Sequence, residues 1–249
     1  MCDSLIVEAA AALRGANHGV VFTGAGMSIE SGIPTFRGPE GLWSRYDPRC
    51  LDIGYFRTHT RDAWIKIKEI FFDFMGQAEP NAGHRALAEM EAGGFVRSVI
   101  TQNIDTLHQA AGSRRVLEFH GTIAAMRCIR CGHRVPSRSV SLKVLPPWCE
   151  KCNGILKPDF VFFGEPIPID VGQAAFEDGE KADVMIVVGS TGEVTPACNI
   201  PYMAKANGAT VIEVNVEPSA FTDRVTDIFL QGPAGKILPD LAKRLAAAA

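Results

Sequence analysis

Cys128 and Cys131, then Cys149 and Cys152, form two C-x-x-C pairs set seventeen residues apart. That spacing matches a closed, tetrahedral zinc site and obliges the chain between the pairs to fold back on one point. Gly132 after the second cysteine, and Asn153 and Gly154 after the fourth, supply the tight turns that let two thiolates converge. Four thiolates leave no position for water, so the expected zinc ion is structural and the chemistry has to lie elsewhere. A redox-active C-x-x-C or a disulfide is the competing reading. The remaining cysteines, Cys2, Cys50 and Cys198, are scattered and bring the total to an odd seven, which favours a reducing compartment.

With 249 residues, 47% of them hydrophobic, the chain can bury one elaborated core, or a large core carrying a small one. The net charge is −3 with both signs interspersed, so no nucleic-acid partner is expected. No stretch resembles a secretory signal, and the longest strongly apolar run, Val184–Val188, is too short to span a bilayer. The expectation is a soluble, cytoplasmic protein with no membrane partner.

Short apolar strands are expected at residues 18–22, 96–100, 184–188 and 209–214. Helical patterns fall at 4–13, 81–91, 104–111, 196–207 and 233–245. Strands alternating with helices predict an α/β fold, a doubly wound parallel sheet of Rossmann type. Two stretches break the rhythm: an aromatic-rich insertion at 38–77 and the cysteine-bearing stretch at 124–156. They are expected to build a smaller helical and zinc-binding lobe beside a domain of residues 1–37, 78–123 and 157–249. A cleft between lobes, at the carboxyl ends of the strands, is the expected ligand site.

Gly24, Ala25 and Gly26 follow the first strand, and backbone amides there can approach a pyrophosphate. Ile29 stands where a third glycine would complete the dinucleotide fingerprint, so a plain tight turn is an equal reading. Ser28, Ser31, Phe36 and Arg37 continue this loop, Arg37 being suited to phosphate or to ordinary surface charge. Gln102, Asn103, Ile104 and Asp105 stand where the second strand meets a helix, a place for ligand contacts or for a helix cap. His120, beside Gly121, is the best general-base candidate among six histidines. The apolar run Phe160 to Phe163, ending at Gly164 and Glu165, is either a core strand or an edge that receives an extended peptide.

Taken in order, these motifs, with Asn215, resemble the sirtuin family of NAD-dependent protein deacylases over nearly the whole chain. The resemblance implies NAD as co-substrate, with Gly24, Ala25, Gly26, Ser28 and Arg37 around its phosphates and ribose. Gly189, Ser190, Thr191, Asn215, Val216, Glu217 and Ala234 would meet the adenosine half. Gln102, Asn103, Ile104 and Asp105 would line the nicotinamide and ribose pocket, with Phe36 as a lid and Asn103, Asp105 and His120 as the catalytic residues. An acyl-lysine peptide would add as a strand between Val161, Phe162, Phe163, Gly164 and Glu165 on one side and Gly192, Glu193 and Val194 on the other.

The chain departs from the family pattern in two places. Gly192 stands where leucine is common, which is expected to loosen the substrate-facing loop. Lys66 and Glu69 stand where desuccinylating members carry a Tyr-x-x-Arg pair, so neutral acyl groups are expected over succinyl or malonyl. A mono-ADP-ribosyltransferase, a non-catalytic NAD-sensing module and a hydride-transferring dehydrogenase are the competing functions.

Overall fold

The computed structural model describes residues 2–38 and 41–247; Pro39 and Glu40, within the expected insertion, lie outside them. The chain runs α1 (Cys2–Gly15), β1 (Gly19–Thr23), α2 (Ile53–Thr58), α3 (Thr60–Ile67), α4 (Ala82–Ala92), β2 (Ser98–Thr101), α5 (Leu107–Ala111), β3 (Val116–Glu118) and β4 (Gly121–Cys128). It continues through β5 (Arg134–Pro136), β6 (Leu156–Phe160), α6 (Ile169–Lys181), β7 (Val184–Val188), α7 (Asn199–Ala206), β8 (Thr210–Asn215), β9 (Ile228–Gln231) and α8 (Ala234–Ala246).

Six strands form one parallel sheet in the order β3-β2-β1-β7-β8-β9. Alternate side chains point to opposite faces. Val21, Val99, Ile186 and Ile212 pack in one cluster with Leu13 of α1, Leu87 of α4 and Leu238 of α8. Val20, Phe22, Ile100, Met185 and Val187 pack in another with Ala175 of α6 and with Ile200 and Ala204 of α7. Both faces are covered, so β1, β2 and β7 are buried at every position, and β7 reads as a continuous apolar run. The doubly wound α/β expectation is what the chain folds into.

A third cluster joins the insertion to the cysteine-bearing stretch. Phe56, Trp64, Ile67 and Phe71 pack with Met126, Leu156, Phe160 and Phe162 over a three-stranded antiparallel sheet, β5-β4-β6. The buried indole of Trp64 donates to the carbonyl of Leu156 at 2.9 Å, satisfying the one polar atom it carries inside. After α3 the chain widens into a π turn, Lys68–Phe74.

Several boundaries differ from expectation. The helix expected from 104 begins only at Leu107, because Thr106 takes a left-handed φ of 65° and Asp105 turns its carboxylate onto the Leu107 amide. The helix expected from 196 begins at Asn199. Strands β3 and β9 and helix α6 were not expected: three- and four-residue strands carry too little pattern, and the mean polarity of α6 hides its buried Ala175.

Two imidazoles lie behind the sheet ends, His84 in α4 and His108 in α5, with ring centroids 4.8 Å apart and both buried. Asn81 caps α4: its side chain accepts the Gly83 amide, and His84 Nδ1 accepts the Asn81 amide. Burial pushes the two rings down, to about 4 and about 3, so both fold neutral. The unfolded chain protonates them near pH 6.5. Their contribution is therefore full above pH 6.5 and lost as pH falls toward 4, by up to ~1.4 kcal/mol per pH unit for each ring. Urea denaturation at pH 7 and pH 5 should show this loss, and the double variant His84→Gln, His108→Gln should flatten it. Equal wild-type stability at the two pH values would contradict the account.

Candidate functional site

β1 has β2 on one side and β7 on the other, so the connections after β1 and β7 leave the sheet in opposite directions. A crevice opens at such a switch point, where open α/β sheets bind ligands. Here the two turns first cross at backbone distance. The amide of Gly24 donates to Val188 O at 2.9 Å and that of Gly26 to Gly189 O at 2.8 Å. A Cβ on Gly24 would lie 2.8 Å from Gly189 O, one on Gly26 2.6 Å from Gly189 Cα, and one on Gly189 2.4 Å from the Met27 amide. The glycine requirement thus comes from this crossing, and two of the amides offered to a pyrophosphate on sequence grounds already have carbonyl partners.

Beyond the crossing, polar side chains converge. Asn103, buried, donates to Gly24 O at 3.1 Å and to Ser28 Oγ at 3.2 Å. Ser28 in turn donates to Asp105 Oδ2 at 2.6 Å, while Asp105 Oδ1 accepts the Leu107 amide at 2.9 Å. Burial pushes the Asp105 carboxyl up, and the Ser28 hydroxyl and backbone amides oppose that rise. Gln102 donates to Ser190 Oγ at 3.0 Å, and Asn215 donates to Ser190 O at 3.1 Å, so the ends of β2, β7 and β8 are cross-linked.

His120 sits in the turn between β3 and β4. Its Nδ1 lies 3.0 Å from the carbonyl of Gln102. A carbonyl can only accept, so Nδ1 carries the proton and Nε2 keeps its lone pair. Burial pushes this imidazole below its usual value, against the Gln102 hydrogen bond, which raises it. His120 is therefore a neutral base at physiological pH. Gly121 next to it has φ 76°, and a Cβ there would stand 2.4 Å from Asp159 O, so the turn is pressed onto β6.

The same residue fixes the segment after β6: Val161 donates its amide to His120 O at 2.8 Å. Phe163 donates to Leu51 O and accepts from the Ile53 amide, and the Glu165 carboxylate accepts the Phe162 amide at 2.9 Å. Residues 161–163 thus run extended on the rim, with Phe163 half exposed, before a turn in which Gly164 takes φ 86° and Glu165 donates to Phe162 O at 2.9 Å; none of them is a core strand of the large sheet. Across from it in sequence, Gly192 has φ 75° and is buried, and a Cβ there would meet the Phe221 ring at 2.9 Å. The Phe221 ring fills the room left by the missing side chain, and Ala220 donates to Thr191 O at 3.0 Å. The expected loosening at Gly192 is therefore offset by Phe221. Glu193 is exposed and Val194 half-buried.

Ala25, Ser28, Phe36, Asn103, Ile104 and Asp105 share one small cavity, as the motifs imply. Ile33, Pro34 and Met75 also line it and were not singled out; Met75 comes from the insertion, whose place over the cavity no local pattern announces. Phe36 packs on Trp43 with ring centroids 5.4 Å apart, and Arg37 is exposed. Val216 and Glu217 are exposed beyond β8, and Ala234 is buried at the start of α8, whose Gly235 amide donates to Glu30 at 2.6 Å.

The sulfurs of Cys128, Cys131, Cys149 and Cys152 all lie within 4.8 Å of one another, with Cys128–Cys152 at 3.5 Å and Cys131–Cys149 at 3.9 Å. Zinc–sulfur bonds of ~2.3 Å in a tetrahedron require sulfurs ~3.8 Å apart, so the donor set fits one zinc ion. Both pairs sit on turns closed by Gly132 donating to Cys128 O and Asn153 donating to Cys149 O.

An α/β protein with a polar cleft at its switch point and a closed four-thiolate centre is the class these features define. Residues 24–196 match the model of the Sir2 family. The NAD-dependent protein deacylase 2 of Pyrobaculum aerophilum is 48% identical over 238 residues, covering 94% of this chain and 93% of that protein. A solved Sir2 homolog–NAD complex superposes with a TM-score of 0.90 at 36% identity, covering 97% and 94% of the two chains. A Sir2–p53 peptide–NAD+ structure superposes with a TM-score of 0.86 at 35% identity, covering 97% of each. The chain belongs to the Sir2 family.

One zinc ion per chain is expected by metal analysis. Cys128→Ser should lower Tm by about 10 °C, since a structural site contributes several kcal/mol at ~2–4 °C each for a chain of this size. An unchanged Tm after loss of the metal would remove the ion from the folding account.

Proposed function

We propose that this chain is an NAD-dependent protein lysine deacylase, which passes the acyl group of an acyl-lysine substrate to ADP-ribose with release of nicotinamide. The observation that carries the reading is His120, a half-buried neutral imidazole whose Nδ1–H is fixed on Gln102 O so that Nε2 is the acceptor. NAD supplies a glycosidic bond whose leaving group, nicotinamide, already carries a positive charge, so orientation and a dry pocket matter more than a strong nucleophile. Asn103, Ser28 and Asp105 form one hydrogen-bonded set suited to orienting a ribose, and His120 takes up a hydroxyl proton at Nε2. Phe36, backed by Trp43, excludes water from the nicotinamide side.

Ala25, Ser28 and Arg37 are assigned to the phosphates and proximal ribose, and Gly24 and Gly26 act there through the turn they permit. Gly189, Ser190, Thr191, Asn215, Val216, Glu217 and Ala234 are assigned to the adenosine half. The acyl-lysine peptide lies between residues 161–165 and 192–194. Residues 38–77 and 124–156 form the small lobe, a division supported by their shared cluster around Trp64 and Phe71. Among the described residues no helix is long and apolar enough to cross a membrane, and a cytoplasmic location suits seven cysteines, four of them metal ligands.

Neutral acyl groups are preferred. Lys66 and Glu69, the two residues at the expected carboxylate-reading positions, are paired with each other at 3.1 Å, and Tyr46 donates to the Glu69 carboxylate. No free cation is thus offered from this pair to a succinyl carboxylate, and burying that charge unpaired is costly. Succinyl-lysine should be processed with kcat/KM about 10²-fold below acetyl-lysine on one peptide, a deficit of ~3 kcal/mol. Comparable turnover would reverse the preference.

His120→Ala should lower deacylation about 10³-fold with zinc content and NAD binding retained, followed by nicotinamide release and by free acyl-ADP-ribose. Label retained on the protein acceptor would point to ADP-ribosyl transfer instead. Because burial lowers the His120 pKa and the base works unprotonated, the acid limb of kcat/KM should be centred below pH 6.5. An acid limb centred above pH 7 would remove His120 from the role.

A further inference from the structure

Lys157 is an ammonium inside the small cluster, its side chain only 7% exposed in a strand otherwise built from apolar residues and Asp159. Its Nζ lies 2.8 Å from Glu165 Oε2, donates to Phe160 O at 2.6 Å and to Pro158 O at 3.1 Å, and stands 4.0 Å above the Phe162 ring. The acceptor Glu165 Oε2 also takes the Phe162 amide at 2.9 Å. One charge pair therefore ties the second residue of β6 to the far end of the rim segment, and the backbone between them cannot twist or slide without breaking it. Buried ion pairs add little net stability compared with apolar side chains of equal volume, but they fix register.

We propose that Lys157 is a positioning residue for the acyl-peptide, acting through Glu165 to hold residues 161–165 in the register that a substrate strand pairs with. This rests on the assignment of that segment as the peptide edge. Glu165 then serves the substrate indirectly: its carboxylate is occupied by Lys157 and by the Phe162 amide, and it shapes the edge rather than reading a substrate charge. Strand addition depends on backbone groups at fixed spacing, so a shift of the edge weakens peptide binding without touching the base or the NAD cleft.

The experiment is steady-state kinetics on full-length Lys157→Met, Lys157→Arg and the double variant Lys157→Met, Glu165→Gln, using an acetyl-lysine peptide and NAD. The double variant leaves no unpaired charge inside and keeps an acceptor for the Phe162 amide, so it covers the case in which Lys157→Met fails to fold. In Lys157→Met and in the double variant, peptide KM should rise about tenfold while kcat, NAD KM and zinc content stay within about twofold. Lys157→Arg should recover most of the loss. Hydrogen exchange of the wild-type 161–165 amides with and without peptide separates the two ideas. If the peptide protects them but the double variant keeps wild-type peptide KM, or loses kcat and both KM values together, Lys157 has no positioning role. If the peptide gives no protection, the edge assignment and the proposal fall together.

Discussion

Where β1 and β7 end, backbone crosses backbone, and that approach is possible because residues 24, 26 and 189 carry no side chain. Two amide–carbonyl bonds at 2.9 and 2.8 Å hold the crossing. Everything at the site is measured from it. Gly24 O accepts both the Met27 amide and the Asn103 side chain, and Ser190, one residue past the crossing, becomes the acceptor for Gln102. An alanine at any of the three positions would push the turns apart, separating the residues after β2 from those after β7.

The cleft this creates is lined by polar groups that already satisfy one another. Asn103, Ser28 and Asp105 form a chain of donors and acceptors, and the Thr23 hydroxyl donates to Thr101 Oγ1, which accepts the Asn103 amide. Such a set is rigid because each unmade bond would leave a desolvated group. The left-handed Thr106, a conformation that costs about 1–2 kcal/mol for a residue with a Cβ, is held in place by the Asp105–Leu107 contact beside it. Local strain here keeps Gln102 to Asp105 out of the helix that their sequence would otherwise extend.

What could be read beforehand was what local spacing encodes. The cysteine pairs specify a metal centre because four donors in two turns admit few other geometries, and the apolar strands specify a covered parallel sheet because both their faces are buried. Gly24 and Gly26 were legible as necessary, but the reason assigned to them belonged to a ligand, whereas the contact that excludes a side chain is with Gly189, far along the chain. Gly192 read as a gap because Phe221, which fills it, lies on a different loop. Lys157 carried no signal in the sequence, since only the folded chain sets Glu165 and two aromatic rings around it. The glycine misses are contacts between distant parts of the chain, and the Lys157 miss is a short-range contact with no periodicity to announce it.

These pieces also explain how a metal centre with no open position can govern chemistry it never touches. His120 uses its ring on Gln102 O and its carbonyl on Val161, so the proposed base and the proposed peptide edge move as one unit. Strand β4 starts at the very next residue and ends at Cys128, the first of the four thiolates. At ~3.3 Å per residue that is a path of ~23 Å, with the turn at Gly121 pressed on Asp159 at one end and four sulfurs at the other. Both neighbours of β4 in its sheet, β5 and β6, are secured by the same centre, because the chain between them carries the second cysteine pair. Without the ion, that end is left to the pairing of Arg127 and Arg134 with Asp159 and to the apolar cluster, which must keep β4 straight and His120 aimed. Zinc bound there would thus bear on the positioning of the proposed base through one strand, as the fixed end of a lever bears on its free end.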